Sequence, residues 1–391
     1  MTYIFSQYVI FLTLITYSSN SVFESWPMSK LLERDGYHGE THNVTTEDGF
    51  ILDLYRIPGK LNAPPVLLMH GLLCDSALWI ILGREKSLAY LLADEGYDVW
   101  IGNSRGSSYG LSHVNLTTDD FEFWDFSFHE MAIYDLPATL DYITNIVNDK
   151  IIYIGHSQGT MISFIMESEQ TADMMKKIKG LICLAPVAHL GHVHSRIHLF
   201  NALLNKLVKF LYSLGVLNSV GGQTSTFKII YSLGCTLFKF ENHICEGLYF
   251  FAIGPEYNQF NDSILAPVLS NFPAGTSTKN LIHFAQGTET NRFAQFDYGE
   301  KKNLEIYNSS LPPAYDLSKV TSPVALIYSE ADWFADLTDV EALFESLPNV
   351  IDKYKVDFDK FTHMDFLWGS DAKSLVYDHV IELVKKLSNQ E

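Results

Sequence analysis

The stretch of residues 151–166 constrains the fold of this chain more than any other. It opens with four apolar residues, 151–154, a pattern typical of a buried β-strand. A Gly-x-Ser-x-Gly motif follows at Gly155, Ser157 and Gly159, and the remaining residues can continue as a helix. Because glycine lacks a Cβ atom, the two glycines let the strand and the helix pass close to each other. The stretch therefore predicts a strand, a sharp turn and a helix, with the serine projecting from the turn.

A serine in such a turn is typical of a catalytic nucleophile, and the helix N-terminus would favour negative charge beside it. A nucleophilic serine needs a base, and the base needs an acid to orient it. Where this turn is used, the acid and then the histidine follow in the chain, each on a loop after a strand. Asp332 and Asp336 follow the apolar run 323–329, and His363 follows the last predicted strand. The order predicts a triad of Ser157, His363 and either Asp332 or Asp336.

Acyl transfer also needs N–H donors for the oxyanion of the tetrahedral intermediate. The first expected donor is the backbone N–H of Gln158, the residue after the serine. The second is expected from the loop after an early strand, where His70 and Gly71 begin such a loop. The sequence thus predicts an oxyanion hole built from two separate loops.

The chain around residues 151–166 alternates predicted strands and helices. Asp48-Gly49 is a strong turn signal between two strand-like runs and predicts a hairpin over residues 43–56. The other elements predicted before residue 186 are the strands 64–69, 97–102 and 180–185 and the helices 87–95 and 123–145. Strand–helix alternation with buried strands predicts an α/β fold, with a mostly parallel central sheet and helices on both faces.

The alternation breaks after residue 186. Residues 187–311 are helical in pattern and rich in aromatic residues, and they lack clear strand–helix units. We interpret them as a helical cap inserted over the functional edge of the sheet. The strand–helix pattern then resumes, so the sheet domain is predicted from residues 22–186 and 312–391.

Composition and charge exclude several classes of protein. The chain has 391 residues, of which 47% are hydrophobic and 19% charged, as in an ordinary globular protein. Its formal net charge of −19 argues against nucleic acid or an anionic membrane surface as the main partner.

The N-terminal residues 1–21 read as a secretory signal peptide, with a short apolar run and then small residues. One feature of a signal peptide is missing, because no basic residue precedes the apolar run. An uncleaved anchor is the alternative. No later stretch is apolar enough for a transmembrane anchor in the mature chain. Four N-glycosylation sequons agree with passage through the secretory pathway. Their asparagines are Asn43, Asn115, Asn261 and Asn308.

Histidines and cysteines offer further candidate sites. Residues 189–198 contain a run of histidines that raises the possibility of a zinc or copper site. No nearby cysteine or glutamate completes a known metal-ligand spacing, so we expect a polar entry to the cap and no metal. Cys183 lies in a predicted strand and is expected to be buried, while Cys74 follows the His70 loop and is expected to be free.

Ten stretches of the chain together resemble the acid lipase family, which includes the gastric and lysosomal lipases. They cover nearly everything between residues 37 and 369. They are residues 70–73 with Trp79, then 96–100, 102–106, 122–127, 134–139, 155–160, 184–188, 273–277, 331–336 and 363–366.

The resemblance implies an α/β-hydrolase fold and assigns roles residue by residue. It implies Ser157 as the nucleophile, His363 as the base and Asp332, rather than Asp336, as the acid. The oxyanion donors that it implies are the backbone N–H groups of Leu72 and Gln158. It also implies a disulfide between Cys235 and Cys245 in the cap, and no cofactor.

The implied activity is that of a secreted or lysosomal lipase. Its substrates would be carboxylic esters of fatty acids, triacylglycerol or cholesteryl ester, met at a lipid–water interface. A carboxylesterase acting on soluble esters is the first alternative. A catalytically silent lipid carrier or storage protein is the second, and the presence of Ser157, Asp332 and His363 argues against it.

Overall fold

A nine-stranded sheet forms the centre of the protein. In the computed structural model, residues 27–389 are described except for 171, 195–211, 213–214, 216, 221–258 and 262–263. The strands are β1 Glu40–Thr45, β2 Phe50–Ile57, β3 Pro65–Met69, β4 Asp98–Ile101, β5 Ser112–His113, β6 Ile151–His156, β7 Ile178–Leu184, β8 Ser219–Val220, β9 Thr276–Ser277, β10 Val324–Tyr328 and β11 Val350–Lys355. The order across the sheet is β1-β2-β4-β3-β6-β7-β10-β11, with β5 paired to β2, while β8 and β9 form a separate ribbon.

Helices connect most of these strands. The described α-helices are α1 Met28–Arg34, α2 Leu88–Asp94, α3 Phe128–Glu130, α4 Leu136–Val147, α5 Gln158–Glu169, α6 Ala172–Met175, α7 Leu265–Asn271, α8 Thr278–Thr290, α9 Glu300–Tyr307, α10 Leu337–Ser346, α11 Asp365–Trp368 and α12 Asp378–Ser388. Short 3₁₀ segments lie at Ser76–Trp79, Glu122–Trp124 and Leu317–Lys319, and π-helical segments at Met131–Asp135 and Lys373–Tyr377.

The sheet confirms the predicted mostly parallel architecture. β1 and β2 form the predicted antiparallel hairpin, with Glu40 opposite Arg56. From β4 to β11 the neighbouring strands run parallel. Every residue of β3, β4 and β6 is buried, as expected for central strands with both faces covered. Burial of both faces explains why these strands are continuous apolar runs in the sequence.

The helix predicted over residues 123–145 differs from the observed one. It begins later, at Phe128, and continues through a π-helical segment into α4. The cause is a capping box at Ser127, whose hydroxyl accepts a hydrogen bond from His129 N–H while Glu130 accepts one from Ser127 N–H. Phe123 precedes this cap and lies in a separate 3₁₀ turn.

The parallel strands place four candidate loops at one edge of the sheet. Carboxyl ends of parallel strands meet at the same edge, where ligands bind in open α/β sheets. Leu72 follows β3, Ser157 follows β6, Asp332 follows β10 and His363 follows β11. The fold therefore gathers residues that are far apart in the chain.

Several predicted features lie outside the described residues, among them residues 1–21 and both Cys235 and Cys245. The described part of residues 187–311 holds α7, α8, α9 and the β8–β9 ribbon. Within the described residues, no helix combines the length and apolar character needed to cross a bilayer.

Candidate active site

Ser157 occupies a sharp turn between β6 and α5. Its backbone has φ 53° and ψ −118°, a conformation that costs a non-glycine residue about 1–3 kcal/mol. The flanking glycines make this turn possible. A Cβ atom on Gly155 would lie 2.7 Å from the carbonyl carbon of Gly159, and one on Gly159 would lie 2.5 Å from the carbonyl oxygen of Met69. The turn predicted from the sequence is present, and it depends on both glycines.

Ser157, His363 and Asp332 form a continuous hydrogen-bonded chain. The Nε2 atom of His363 lies 2.8 Å from Ser157 Oγ. Its Nδ1 atom lies 2.9 Å from Asp332 Oδ1 and 2.8 Å from Oδ2. All three residues are buried. The chain order Ser, Asp, His thus corresponds to direct contact in space.

Asp332 lies in surroundings that keep its carboxyl group ionised. Burial raises its pKa, but the charge and hydrogen bond of His363 outweigh that effect, together with the N–H groups of Phe334 and Ala335. The net result is a pKa below the ordinary value. Those two N–H groups donate to Oδ1 at 2.8 and 2.9 Å. A carboxylate in this position holds a proton on His363 Nδ1 and leaves the Nε2 lone pair facing the serine.

The other acidic residues near these loops have different partners. Asp336 accepts a hydrogen bond at 2.8 Å from the first turn of α10 and caps that helix. Asp365 accepts one at 2.6 Å from Thr362 N–H and holds the turn that carries the histidine. Glu330 forms an exposed ion pair with Lys355 at 2.6 Å. Between the two acids that the sequence left open, the contact with His363 belongs to Asp332.

The two expected oxyanion donors lie on the loop after β3 and at the start of α5. Among the described residues, the backbone N–H groups of Leu72 and Gln158 have no hydrogen-bond acceptor. The Leu72 loop is held by His70, whose Nδ1–H donates to the carbonyl of Gly71 at 2.8 Å and whose Nε2 accepts from Ser104 N–H at 3.0 Å. Burial lowers the pKa of His70 to about 4, so the ring is neutral and this bonding pattern persists.

Comparison with known proteins identifies the family. A model described as a partial alpha/beta-hydrolase lipase region matches residues 28–83, and a model of the alpha/beta hydrolase fold matches residues 64–370. Lipase 1 of Drosophila melanogaster is 36% identical over 367 residues, which is 92% of this chain and 80% of that protein. Human gastric triacylglycerol lipase is 36% identical over 92% of this chain and 91% of its own length. For human lysosomal acid lipase/cholesteryl ester hydrolase the values are 36%, 92% and 90%.

The chain belongs to the acid lipase family of α/β-hydrolases.

Solved structures with lower identity show the same fold. Epoxide hydrolase VrEH1 from Vigna radiata has a TM-score of 0.52 and 15% identity, covering 89% of this chain and 98% of its own. The esterase EaEST from Exiguobacterium antarcticum has a TM-score of 0.52 and 13% identity, covering 88% and 100%. Because their reactions differ, these likenesses concern the fold alone.

In this acid lipase, a second histidine, His156, connects the sharp turn at Ser157 to the loop that carries the base, His363. His156 Nε2–H donates to the carbonyl oxygen of His363 at 2.9 Å. Burial, with a smaller effect of the His363 charge, lowers the pKa of His156 to about 3. The ring is therefore neutral, and a neutral ring carries a single N–H, which this carbonyl uses. His156 fixes the main chain of His363 relative to Ser157.

Sequence reasoning missed the role of Arg105, which was noted only as part of a family motif. Its guanidinium is buried and pairs with Asp135 at 2.6 Å and with Asp48 at 2.5 Å. It also packs 4.0 Å above the ring of Phe50. The group joins the β1–β2 hairpin to the helix before β6. No local pattern signals this role, because the partners Asp48 and Asp135 lie 57 and 30 residues away in the sequence.

The described histidines of the 189–198 run have separate partners. His192 Nδ1 pairs with Asp339 at 2.7 Å, and that carboxylate raises the pKa of His192. His194 stacks on the ring of Trp333 at 4.5 Å. Within the described ranges, no group of three histidine, cysteine or acidic residues is arranged to hold a metal ion. Cys74 is free and Cys183 is buried, as predicted, and the structure has both residues as buried free thiols.

Proposed function

We propose that the chain hydrolyses carboxylic esters of long-chain fatty acids, triacylglycerols or cholesteryl esters, through an acyl-enzyme on Ser157. The observation that carries the proposal is the hydrogen-bonded chain from Ser157 through His363 to Asp332 at a strained strand–helix turn. Membership of a lipase family supports the substrate class, because the human relatives are named a triacylglycerol lipase and a cholesteryl ester hydrolase.

The first half of the reaction transfers the acyl group to the enzyme. Ser157 Oγ attacks the ester carbonyl carbon while His363 Nε2 removes its proton, and ionised Asp332 stabilises the imidazolium. The oxyanion accepts hydrogen bonds from the N–H groups of Leu72 and Gln158. As the intermediate collapses, the ester C–O bond breaks and the leaving alcohol takes the proton from His363. The fatty acyl group is then bound to Ser157 as an ester.

The second half repeats these steps with water. His363 takes a proton from the water molecule, and the resulting hydroxide attacks the acyl carbon. The same N–H groups stabilise the second oxyanion. Collapse releases the fatty acid and returns the proton to Ser157 Oγ. No cofactor takes part in this sequence.

We also propose that the mature protein is secreted or lysosomal. Residues 1–21 are removed as a signal peptide, and residues 187–311 form a cap, with a Cys235–Cys245 disulfide, that binds the acyl chains at a lipid–water interface. Four sequon asparagines, all of them exposed, are available for N-glycans. They are Asn43, Asn115, Asn261 and Asn308.

The test compares the wild-type protein with Ser157→Ala on two kinds of substrate. We expect wild type to hydrolyse emulsified triolein or cholesteryl oleate faster than a soluble short-chain ester, and the variant to lose both activities. A labelled phosphonate should attach to Ser157 in the wild type. Preference for the soluble ester would indicate a carboxylesterase. Unchanged turnover in the variant would contradict the role of Ser157, and no turnover with no labelling would indicate a lipid carrier.

A further inference from the structure

Residues 274–280, which we call the strut, contact both segments that carry the expected oxyanion donors, the loop after β3 and the start of α5. At the start of the strut, Ala274 N–H donates a 2.6 Å hydrogen bond to the carbonyl oxygen of Leu73, the residue after Leu72. The Ala274 carbonyl in turn accepts a hydrogen bond at 3.3 Å from Ser108 Oγ. The loop of Leu72 is therefore bonded to a segment that lies 201 residues further along the chain, counted from Leu73 to Ala274.

At its other end the strut contacts the second donor residue, Gln158. The Nδ2 group of Asn280 donates to Gln158 Oε1 at 2.8 Å and to Thr276 Oγ1 at 3.0 Å. Its Oδ1 atom accepts from Phe128 N–H at 2.8 Å. Because the Oδ1 atom must face that N–H donor, the NH₂ group must face Gln158. Asn280 is completely buried, so water does not compete for these bonds.

Among the described residues, the Gln158 side chain has one strong partner, Asn280. Its Nε2 group reaches Met131 Sδ at 3.3 Å, and a thioether is a weak acceptor. The Asn280 bond is therefore the one that orients the side chain. Gln158 is the first residue of α5, so this bond acts on the same residue whose backbone N–H would face the oxyanion.

The strut itself is held rigidly between these contacts. Ser277 caps α8 by accepting a hydrogen bond from Asn280 N–H at 2.9 Å, and its hydroxyl donates to the carbonyl of Phe126. Thr276 and Ser277 also form β9, which pairs with β8. These bonds fix the distance between the two ends of the strut.

We propose that the strut sets the spacing of the two oxyanion donors, and that Asn280 is a positioning residue for Gln158. The proposal rests on the proposed function, because it takes Leu72 and Gln158 as the donors. Loss of one donor lowers the rate about 10²–10³-fold, so a displaced donor should cost less than this. It should also act on the transition state and leave substrate binding largely unchanged.

The experiment removes the bond from each side with Asn280→Leu and Gln158→Met. We expect kcat on a fatty-acid ester to fall about 3–30-fold in each variant, with KM changed less than about twofold. The Ki of a trifluoromethyl ketone, whose adduct carries an oxyanion, should rise by a similar factor. Should Asn280→Leu fail to fold, Gln158→Met tests the same bond from its other partner. Wild-type kcat and Ki in the folded variants would overturn the proposal.

Asn303→Leu is the matched control. Asn303 is also completely buried, its Nδ2 donates to Asp297 Oδ1 at 2.7 Å and to the Ser310 carbonyl at 3.0 Å, and its Oδ1 accepts from Tyr298 N–H at 2.9 Å. Replacing it should destabilise the fold to a similar extent, with kcat and Ki unchanged. An equal fall in kcat in both leucine variants would reduce Asn280 to a structural role and overturn the proposal.

Exchanging the two side chains distinguishes the loss of the hydrogen bond from a change in side-chain volume. The double variant Gln158→Asn with Asn280→Gln keeps the total length of the pair and both amide groups, so it should recover at least part of the lost kcat. Absence of any recovery, with the fold intact, would count against the bond. Turnover in Ser157→Ala would instead contradict the proposed function. An inactive Ser157→Ala together with a fully active Asn280→Leu would contradict only the positioning role of the strut.

Discussion

Asp332→Asn is a sharp test of the triad, because the surroundings fix the orientation of the new amide. Two backbone N–H groups, from Phe334 and Ala335, donate to Oδ1 in the wild type. In the variant these donors require the amide oxygen at that position. The amide NH₂ group must then occupy the place of Oδ2, which lies 2.8 Å from His363 Nδ1.

This orientation reverses the tautomer of the histidine. An NH₂ donor facing Nδ1 requires that atom to be an acceptor, so the proton of neutral His363 moves to Nε2. That atom faces Ser157 Oγ at 2.8 Å and can no longer accept its proton. A carboxylate-to-amide change with the same effect lowers the turnover of a serine protease about 10⁴-fold, or about 5.5 kcal/mol in activation free energy. We expect a loss of the same order here.

The assay measures kcat on emulsified triolein and the rate of phosphonate attachment to Ser157, which should fall together. Asp336→Ala is the control, because Asp336 caps α10 and does not contact the histidine. It should lose about 1 kcal/mol of stability and keep its kcat. A kcat of Asp332→Asn within tenfold of wild type would refute the tautomer argument. Loss of kcat in Asp336→Ala would refute the choice of acid.

Three further predictions concern the framework. Arg105→Met leaves carboxylates without their buried partner and should lower the free energy of unfolding in urea by about 3–5 kcal/mol. Gly159→Ala places a Cβ 2.5 Å from the Met69 carbonyl oxygen and should cost about 1–3 kcal/mol in the same assay. Burial lowers the pKa of His283 to about 3, so the unfolded state binds its proton first as the pH falls below about 6.5, and stability is lost down to about pH 3. Between pH 7 and pH 5, His283→Gln should therefore lose about 2 kcal/mol less stability than wild type.

The sequence predicts the parts of the site that depend on short-range patterns. The strand, turn and helix around Ser157 follow from apolar residues and two glycines within one stretch, and the structure has them. His363 could be placed because the fold requires a histidine on the loop after the last strand. The sheet was predictable for a similar reason, since its central strands are continuous apolar runs.

Contacts between distant residues were not predictable from such patterns. Asp332 and Asp336 lie on one short loop, and only the position of His363 and the start of α10 distinguish their roles. The bond between Gln158 and Asn280 joins residues 122 apart. Nothing in the local sequence of Asn280 marks it, because a buried asparagine and an exposed one look alike. The start of the helix at Phe128 also depended on a cap that hydrophobic periodicity does not show.

The arrangement of β7 and β10 has a consequence for protein engineering. These strands are parallel neighbours, with Leu184 beside Ile327. The intervening segment therefore leaves at the carboxyl end of β7 and must return to the amino end of β10, at the opposite end of the strands. The return path follows α5, where Asp316 N–H and the Lys319 ammonium group donate to Ser168 at 2.9 and 3.3 Å. A chimaera that takes this segment from a relative with another substrate should therefore keep the recipient's residues 312–323. The chimaera should also keep the recipient's residues 274–280, because Asn280 bonds to Gln158 at the start of the nucleophile helix.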